Sequence, residues 1–137
     1  MFKTIALAVD GSDHAHRAVP VAAELAKLGG GKVIVLHVRE HDRARGQAWE
    51  LETEDEANAV VKRTLDEIKK SGATGEGDVI RALHGTVAQA LVESARDHKA
   101  DTLVVGSRGL SDMAGMVLGS VAHKVIHLSH VPVIVAR

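Results

Sequence analysis

The sequence predicts a doubly wound α/β fold in which a five-stranded parallel sheet is flanked by four helices. Short apolar, β-prone segments alternate along the chain with segments whose apolar residues recur at helical spacing. This alternation favours parallel strands joined by right-handed helical crossovers. The chain has 137 residues, enough for one domain with its own core, and we expect residues 1–137 to form a single domain.

The periodicity assigns each segment a range. The predicted strands are Lys3–Val9, Val33–Val38, Asp78–Leu83, Thr102–Val105 and Val131–Ala136. The predicted helices are Asp13–Leu28, Gln47–Lys70, Thr86–His98 and a last helix that begins at Ser120. Residues 39–46 are charged and irregular, which predicts a loop. Pro20 predicts a kink or a loosened first turn in the first helix, and Thr86 with Gln89 fits a capping box.

Composition excludes several classes of partner. The 17 Lys and Arg residues balance 18 Asp and Glu residues, so the net charge of -1 predicts no bulk binding to nucleic acid or membrane. The chain has 0 cysteines, which fits a reducing compartment, and it has no apolar run long enough to span a bilayer. We therefore expect a cytoplasmic protein.

A glycine-containing loop follows the fourth predicted strand. Gly106, Arg108 and Gly109 are followed by Gly119 and Ser120. Glycine permits close approach to a backbone, and a helix beginning at Ser120 directs N–H groups and a positive dipole end at the loop. These features favour a phosphate site. They also fit an ordinary loop in a chain with 13 glycines, because neither a Walker motif nor a dinucleotide glycine motif is present.

Three polar side chains at the predicted strand ends have two interpretations each. Asp10 is typical of a turn or a helix start, but doubly wound sheets bind ligands beyond the strand ends where the winding reverses, so we expect Asp10 to face the glycine loop. Arg108 fits a phosphate contact and a solvated cation equally well. Ser120 fits a helix N-cap, a role compatible with phosphate contact.

The spacing Gly106-x2-Gly109-x9-Gly119-Ser120 resembles the nucleotide loop of the ATP-binding branch of the universal stress protein family. The resemblance extends over nearly the whole chain. It includes the segment from Ile5 to Ser12, Leu36-His-Val38, Gly85 and the closing Val131-Pro-Val-Ile-Val. It implies the universal-stress-protein-like, adenine nucleotide alpha hydrolase-like fold, and ATP with Mg²⁺ or Mn²⁺ as the ligand.

The resemblance also implies roles for individual residues near the base and ribose. Asp10 would lie near the ribose or a metal-bound phosphate, and it is the one metal ligand implied. Val38 would meet adenine through its backbone, and Ala8 and Val9 would form part of the same pocket wall.

At the phosphates, the resemblance implies that Gly106 and Gly109 admit backbone amides to the ribose and phosphate oxygens. Arg108 would reach the anionic oxygens. The phosphates would then be held by N–H groups and a hydroxyl at Gly119, Ser120 and Val121.

The resulting hypothesis is an ATP-binding regulatory module of the stress response. Its hydrolysis of ATP would be slow at most. We expect an unidentified regulatory protein partner and a homodimer formed through the strand Val131–Ala136, as the resemblance implies.

Two alternatives remain open. One is a nucleotide-free dimeric protein-interaction module, against which the glycine loop argues. The other is an adenylyl-transfer enzyme, which would need a pyrophosphate-binding Ser/Gly loop directly after the first strand, where only Asp10-Gly-Ser-Asp13 stands.

Overall fold

The computed structural model describes residues 1–44, 46–108 and 118–137. The strands are β1 (Thr4–Ala8), β2 (Lys32–Ala44), β3 (Gln47–Glu50), β4 (Thr74–Leu83), β5 (Thr102–Gly106) and β6 (Val133–Ala136). The helices are α1 (Asp13–His16), α2 (Ala18–Gly29), α3 (Glu54–Lys70), α4 (Val87–Asp97) and α5 (Ser120–Leu128). Helix α1 is a single turn, and the other helices cover the sheet.

The sheet has parallel strands in the order β4-β2-β1-β5-β6. Residues 32–36 of β2 pair with both β1 and β4, so β4 lies on the side of β2 away from β1. The chain therefore winds outward in one direction from β1 to β4, and in the other direction through β5 and β6. The winding reverses between β1 and β5, which confirms the predicted doubly wound fold.

Apolar cores fill both faces of this sheet. Alternate residues of β1 and β2 point to opposite faces, as strand geometry requires. Ile5 and Val33 belong to the core beneath α2 and α3, whereas Ala6 and Ile34 belong to the core beneath α4 and α5. Burial on both faces explains why the central strands are almost continuously apolar in sequence.

The prediction of a loop at residues 39–46 is wrong for residues 39–44, which belong to strand β2. Strand β2 continues to Ala44, pairs with β4 as far as His41, and then pairs antiparallel with β3. The helix predicted to begin at Gln47 starts later in the structure. It begins at Glu54, because Thr53 is the N-cap and its hydroxyl oxygen accepts the Glu56 N–H at 3.1 Å.

The first predicted helix is divided at Arg17 and not at Pro20. Arg17 is the C-cap of α1 and the N-cap of α2. Pro20 lies in the first turn of α2, where a backbone N–H has no intrahelical acceptor, so the proline is accommodated without a break.

The predicted cap at Thr86 and the predicted start of the last strand are corrected. Thr86 is the N-cap of α4, but its hydroxyl donates to the Leu83 carbonyl at 2.7 Å and makes no capping bond. Val131 lies in a turn, where its N–H donates to Ser129 Oγ at 3.2 Å, and β6 begins only at Val133.

Asp101 joins the beginnings of β1 and β5. Its Oδ2 accepts the N–H groups of Lys3 at 2.8 Å and Thr4 at 3.3 Å, and its Oδ1 accepts the Thr102 hydroxyl at 3.1 Å. Burial raises the pKa of Asp101, but these hydrogen bonds outweigh it and leave the pKa below its ordinary value of 3.8. The network fixes the two central strands at the edge opposite their carboxyl ends.

Helices of bilayer-spanning length and apolarity are absent from the part of the chain that the structure describes.

Candidate functional site

A cavity of about 490 Å³ opens at the carboxyl ends of the strands. It lies at the reversal of the winding between β1 and β5, on the side of the sheet covered by α4 and α5. Its volume is in the range of small-molecule sites. The lining residues are Ala8, Val9, Asp10, Ala15, Val38, Glu40, His84, Gly85, Val87, Ala88, Leu91, Val105, Gly106, Arg108, Ser120, Val121, Ala122 and Lys124.

Most of the residues predicted for a ligand site line this cavity. They are Ala8, Val9, Asp10, Val38, Gly106, Arg108, Ser120 and Val121. Gly119 is buried just before α5 and does not line the cavity. Gly109 lies outside the described residues. The ends of the first and fourth predicted strands therefore line the same cavity. The ligand contacts of these residues stay predictions.

Asp10 takes part in a turn and also faces the cavity. Its Oδ1 accepts the Ser12 N–H at 2.9 Å, and Gly11 between them has φ +85°, a conformation that favours glycine. Ser12 then caps α1, because its Oγ accepts the Ala15 N–H at 3.1 Å. Asp10 is therefore both a turn residue and a residue of the cavity wall.

Gly106 allows the chain after β1 to pack directly against the end of β5. A Cβ at this position would lie 2.8 Å from the His14 carbonyl oxygen and 2.9 Å from the Ala15 Cα. Both atoms belong to the backbone of α1 and cannot rotate away. The glycine is thus needed for backbone packing, a role distinct from the ligand approach that the sequence resemblance implied.

The amino end of α5 forms the wall next to β5. Gly119 is the N-cap, and it accepts the His123 N–H at 3.0 Å, so Ser120 is the first helical residue and not the N-cap. The lining includes Val121 from the first turn and Lys124 from the second. This wall is electropositive because it contains Arg108, Lys124 and the positive end of the α5 dipole.

His37 fastens the end of β1 from the opposite face of the sheet. It is 3% exposed, with Nδ1 at 2.8 Å from the Val9 carbonyl oxygen and Nε2 at 2.8 Å from Glu52 Oε2. A carbonyl oxygen only accepts hydrogen bonds, so Nδ1 donates to Val9, and Nε2 lies within hydrogen-bond distance of the Glu52 carboxylate. These two contacts of the ring hold Val9 in place beside Asp10.

The β3 segment is attached to the sheet by a second set of charged groups. Arg81 donates to Glu50 Oε1 at 2.7 Å, and Arg39 Nε donates to the Glu52 carbonyl at 2.9 Å. The hydrogen bond from Arg81 lowers the pKa of Glu50 below its ordinary value. These contacts keep the segment before α3 over β2.

Several lining residues were not predicted. Glu40 follows Val38 by two positions and therefore lies on the same face of β2. It was not predicted because the charged residues 39–46 were expected to form a loop. Lys124 follows Ser120 by four positions on α5, so helical periodicity would have indicated it. The alternation of strand residues and the periodicity of the helix were the signals for both.

Comparison with known proteins shows relatedness over the whole chain. The profile of the universal stress protein family matches residues 1–137. The chain belongs to the universal stress protein family. A universal stress protein of Thermus aquaticus is 34% identical over 139 residues, with 100% of both chains covered.

Solved universal stress proteins share the fold. One in complex with cAMP is 32% identical with a TM-score of 0.76, covering 98% of this chain and 97% of that one. The protein from Archaeoglobus fulgidus in complex with dAMP is 29% identical with a TM-score of 0.75, covering 98% of each chain. Nucleotide binding is thus observed within the family.

The packing of Gly106 predicts the effect of adding one methyl group in this universal stress protein. Gly106→Ala should lower the free energy of unfolding by about 1–3 kcal/mol, because the new Cβ meets fixed backbone atoms of α1. Chemical denaturation monitored by circular dichroism measures the loss.

Gly75→Ala is the matched control. A Cβ there would meet Leu65 Cδ2 at 3.0 Å and Ile68 Cγ2 at 3.2 Å, which are side-chain atoms and not backbone. The control should lose less stability than Gly106→Ala. An equal or larger loss for Gly75→Ala would contradict the assignment of Gly106 to backbone packing.

Proposed function

We propose that this protein binds ATP in the cavity and acts as a nucleotide-dependent regulatory module of the stress response. The observation that carries the proposal is the cavity at the β1–β5 reversal, with apolar walls and one electropositive end. A nucleotide needs both features, because its base is largely apolar and its phosphates are anionic. The cAMP and dAMP complexes of the two family members support an adenine nucleotide.

The proposed orientation follows the charges along the cavity. The phosphates lie against the amino end of α5, where Ser120 and Val121 line the cavity and Arg108 and Lys124 add positive charge. The base lies against the apolar wall beside Val38, with Ala8 and Val9 at the end of β1. We keep Gly119 and Gly109 as proposed phosphate and ribose contacts on the strength of the sequence resemblance.

The metal ion proposed with ATP is Mg²⁺ or Mn²⁺. Asp10 supplies one carboxylate at the cavity wall, and within the described residues no group of three or more metal-binding side chains occurs. A single carboxylate suits Mg²⁺, which is commonly held by one or two carboxylates together with nucleotide phosphates. Asp10 would therefore hold the ion only when ATP is bound, and the ion would neutralise phosphate charge.

Binding, and not rapid turnover, is the proposed activity. Asp10 is held in the turn with Ser12, and Glu40 is paired with His84. Both carboxylates already accept hydrogen bonds from the protein itself, so we propose that neither activates a water molecule efficiently and that any hydrolysis is slow. The bound nucleotide would instead determine how the protein contacts an unidentified regulatory partner.

Removing the two cavity cations should weaken ATP binding selectively. We expect Arg108→Gln combined with Lys124→Gln to reduce ATP affinity by roughly tenfold or more, because two charge-assisted contacts to phosphate are lost. Adenosine lacks phosphates, so its affinity should change by less than about twofold. Isothermal titration calorimetry with Mg²⁺ measures both ligands.

Lys62→Gln, on the exposed face of α3, is the matched control and should bind ATP as the wild type does. Folded, nucleotide-free wild type that binds no ATP would refute the proposed function. Equal losses for ATP and adenosine in the double variant would refute the proposed position of the phosphates.

We also propose that two copies associate through β6. The carbonyl oxygens of Pro132 and Ala136 accept N–H groups from Leu103 at 3.0 Å and Ser107 at 2.8 Å. Because backbone groups alternate along a strand, those of Val133 and Val135 face away from β5. No strand of the described chain covers that side, and such an apolar edge is suited to pairing with a second copy.

Val135→Pro should convert the proposed dimer to a monomer. It removes an N–H that faces the partner and leaves the bonds between β6 and β5 intact, so the fold should persist. Val135→Thr retains the N–H and should remain dimeric. Sedimentation velocity measures the mass of each variant, and a dimeric, folded Val135→Pro protein would exclude pairing through this edge.

A further inference from the structure

Glu40 and His84 form a polar pair within the cavity wall, on the opposite side of β1 from Arg108. Glu40 lies near the carboxyl end of β2, and His84 follows β4. β2 and β5 lie on either side of β1, so the strands that lead to Glu40 and Arg108 are about 10 Å apart at ordinary strand spacing. The cavity therefore has an anionic group near one end and cationic groups near the other.

The pair is held by the backbone around it. The His84 N–H donates to the His41 carbonyl at 2.8 Å, which extends the pairing of β4 with β2 by one residue. Gly85 follows with φ +87°, so the chain turns sharply into α4. His84 Nδ1 then lies 3.1 Å from Glu40 Oε1. The carboxylate is consequently anchored on a strand and oriented by a neighbouring loop.

The pair presents hydrogen-bond acceptors to the cavity. An ionised carboxylate has only acceptor oxygens, so His84 Nδ1 donates to Glu40 Oε1. Among the described residues Glu40 Oε2 has no hydrogen-bond partner, and the side chain is 31% exposed. A ligand group that lies here must donate a hydrogen bond.

We propose that Glu40, positioned by His84, recognises the 6-amino group of the purine in the nucleotide site; this inference rests on the proposed function. Glu40 and Val38 share one face of β2, two residues apart, and a base beside Val38 brings its polar edge close to Glu40. A 6-amino group donates to the carboxylate. A 6-oxo group would place its oxygen against the Glu40 carboxylate and be repelled.

A ligand–protein double-mutant cycle tests this contact. ATP is compared with purine riboside triphosphate, which has hydrogen in place of the 6-amino group, on wild type and Glu40→Ala. Wild type should bind ATP about tenfold more tightly than the analogue, since one hydrogen bond to a charged group is removed. In Glu40→Ala the two affinities should agree within about twofold.

Asp42→Ala is the matched control. Asp42 is two residues further along β2 and does not line the cavity, so it should keep the wild-type ratio. His84→Ala should reduce the ratio only partly, because it releases Glu40 without removing it. Circular dichroism establishes that each variant is folded.

The outcomes separate this inference from the function on which it rests. Tight ATP binding with an unchanged ratio in Glu40→Ala would overturn the role of Glu40 and leave ATP binding intact. Wild type that prefers GTP to ATP, and loses that preference in Glu40→Ala, would also overturn it, since the carboxylate would then bind the N–H edge of guanine. No binding of any nucleotide would refute both proposals.

Discussion

The close contact between Gly106 and the backbone of α1 is the constraint on which the cavity depends. It brings the chain after β1 against the end of β5, at the point where the sheet reverses its winding. Asp10 and Arg108, although distant in sequence, consequently line one cavity. His37 reinforces this arrangement from the other face by binding the Val9 carbonyl. A close backbone contact and a side-chain hydrogen bond to the backbone thus position the polar groups of the site.

The charges around this cavity vary along its length in a way that suits an elongated, asymmetric ligand. Helix α5, Arg108 and Lys124 make the end beyond β5 electropositive, whereas Glu40 contributes a carboxylate on the β2 side. The apolar wall between them can bury the flat surface of a base. Both proposals depend on this polarity: the phosphates take the first end and the edge of the base takes the second.

Much of the fold follows from burial, and this explains which elements the sequence predicts. Segments such as 33–36 are buried on both faces of the sheet and are continuously apolar. β3 is not predicted because Gln47–Glu50 is exposed and has no alternation of apolar and polar residues from burial. Backbone pairing and charged contacts hold it instead. The position of Asp10 required knowledge of strand order, and Glu40 required the true length of β2. Strand alternation places Glu40 beside Val38 only once β2 is known to continue past residue 38, and the charged residues that follow do not indicate that continuation.

A crystal structure of the protein grown with ATP and Mg²⁺ tests the proposed nucleotide site directly. We predict the base beside Val38 with its 6-amino group within hydrogen-bond distance of Glu40. We also predict the phosphates at the amino end of α5, near Arg108, with Mg²⁺ between them and Asp10. A nucleotide bound outside the cavity, or bound with its phosphates towards Glu40, would contradict the proposed site.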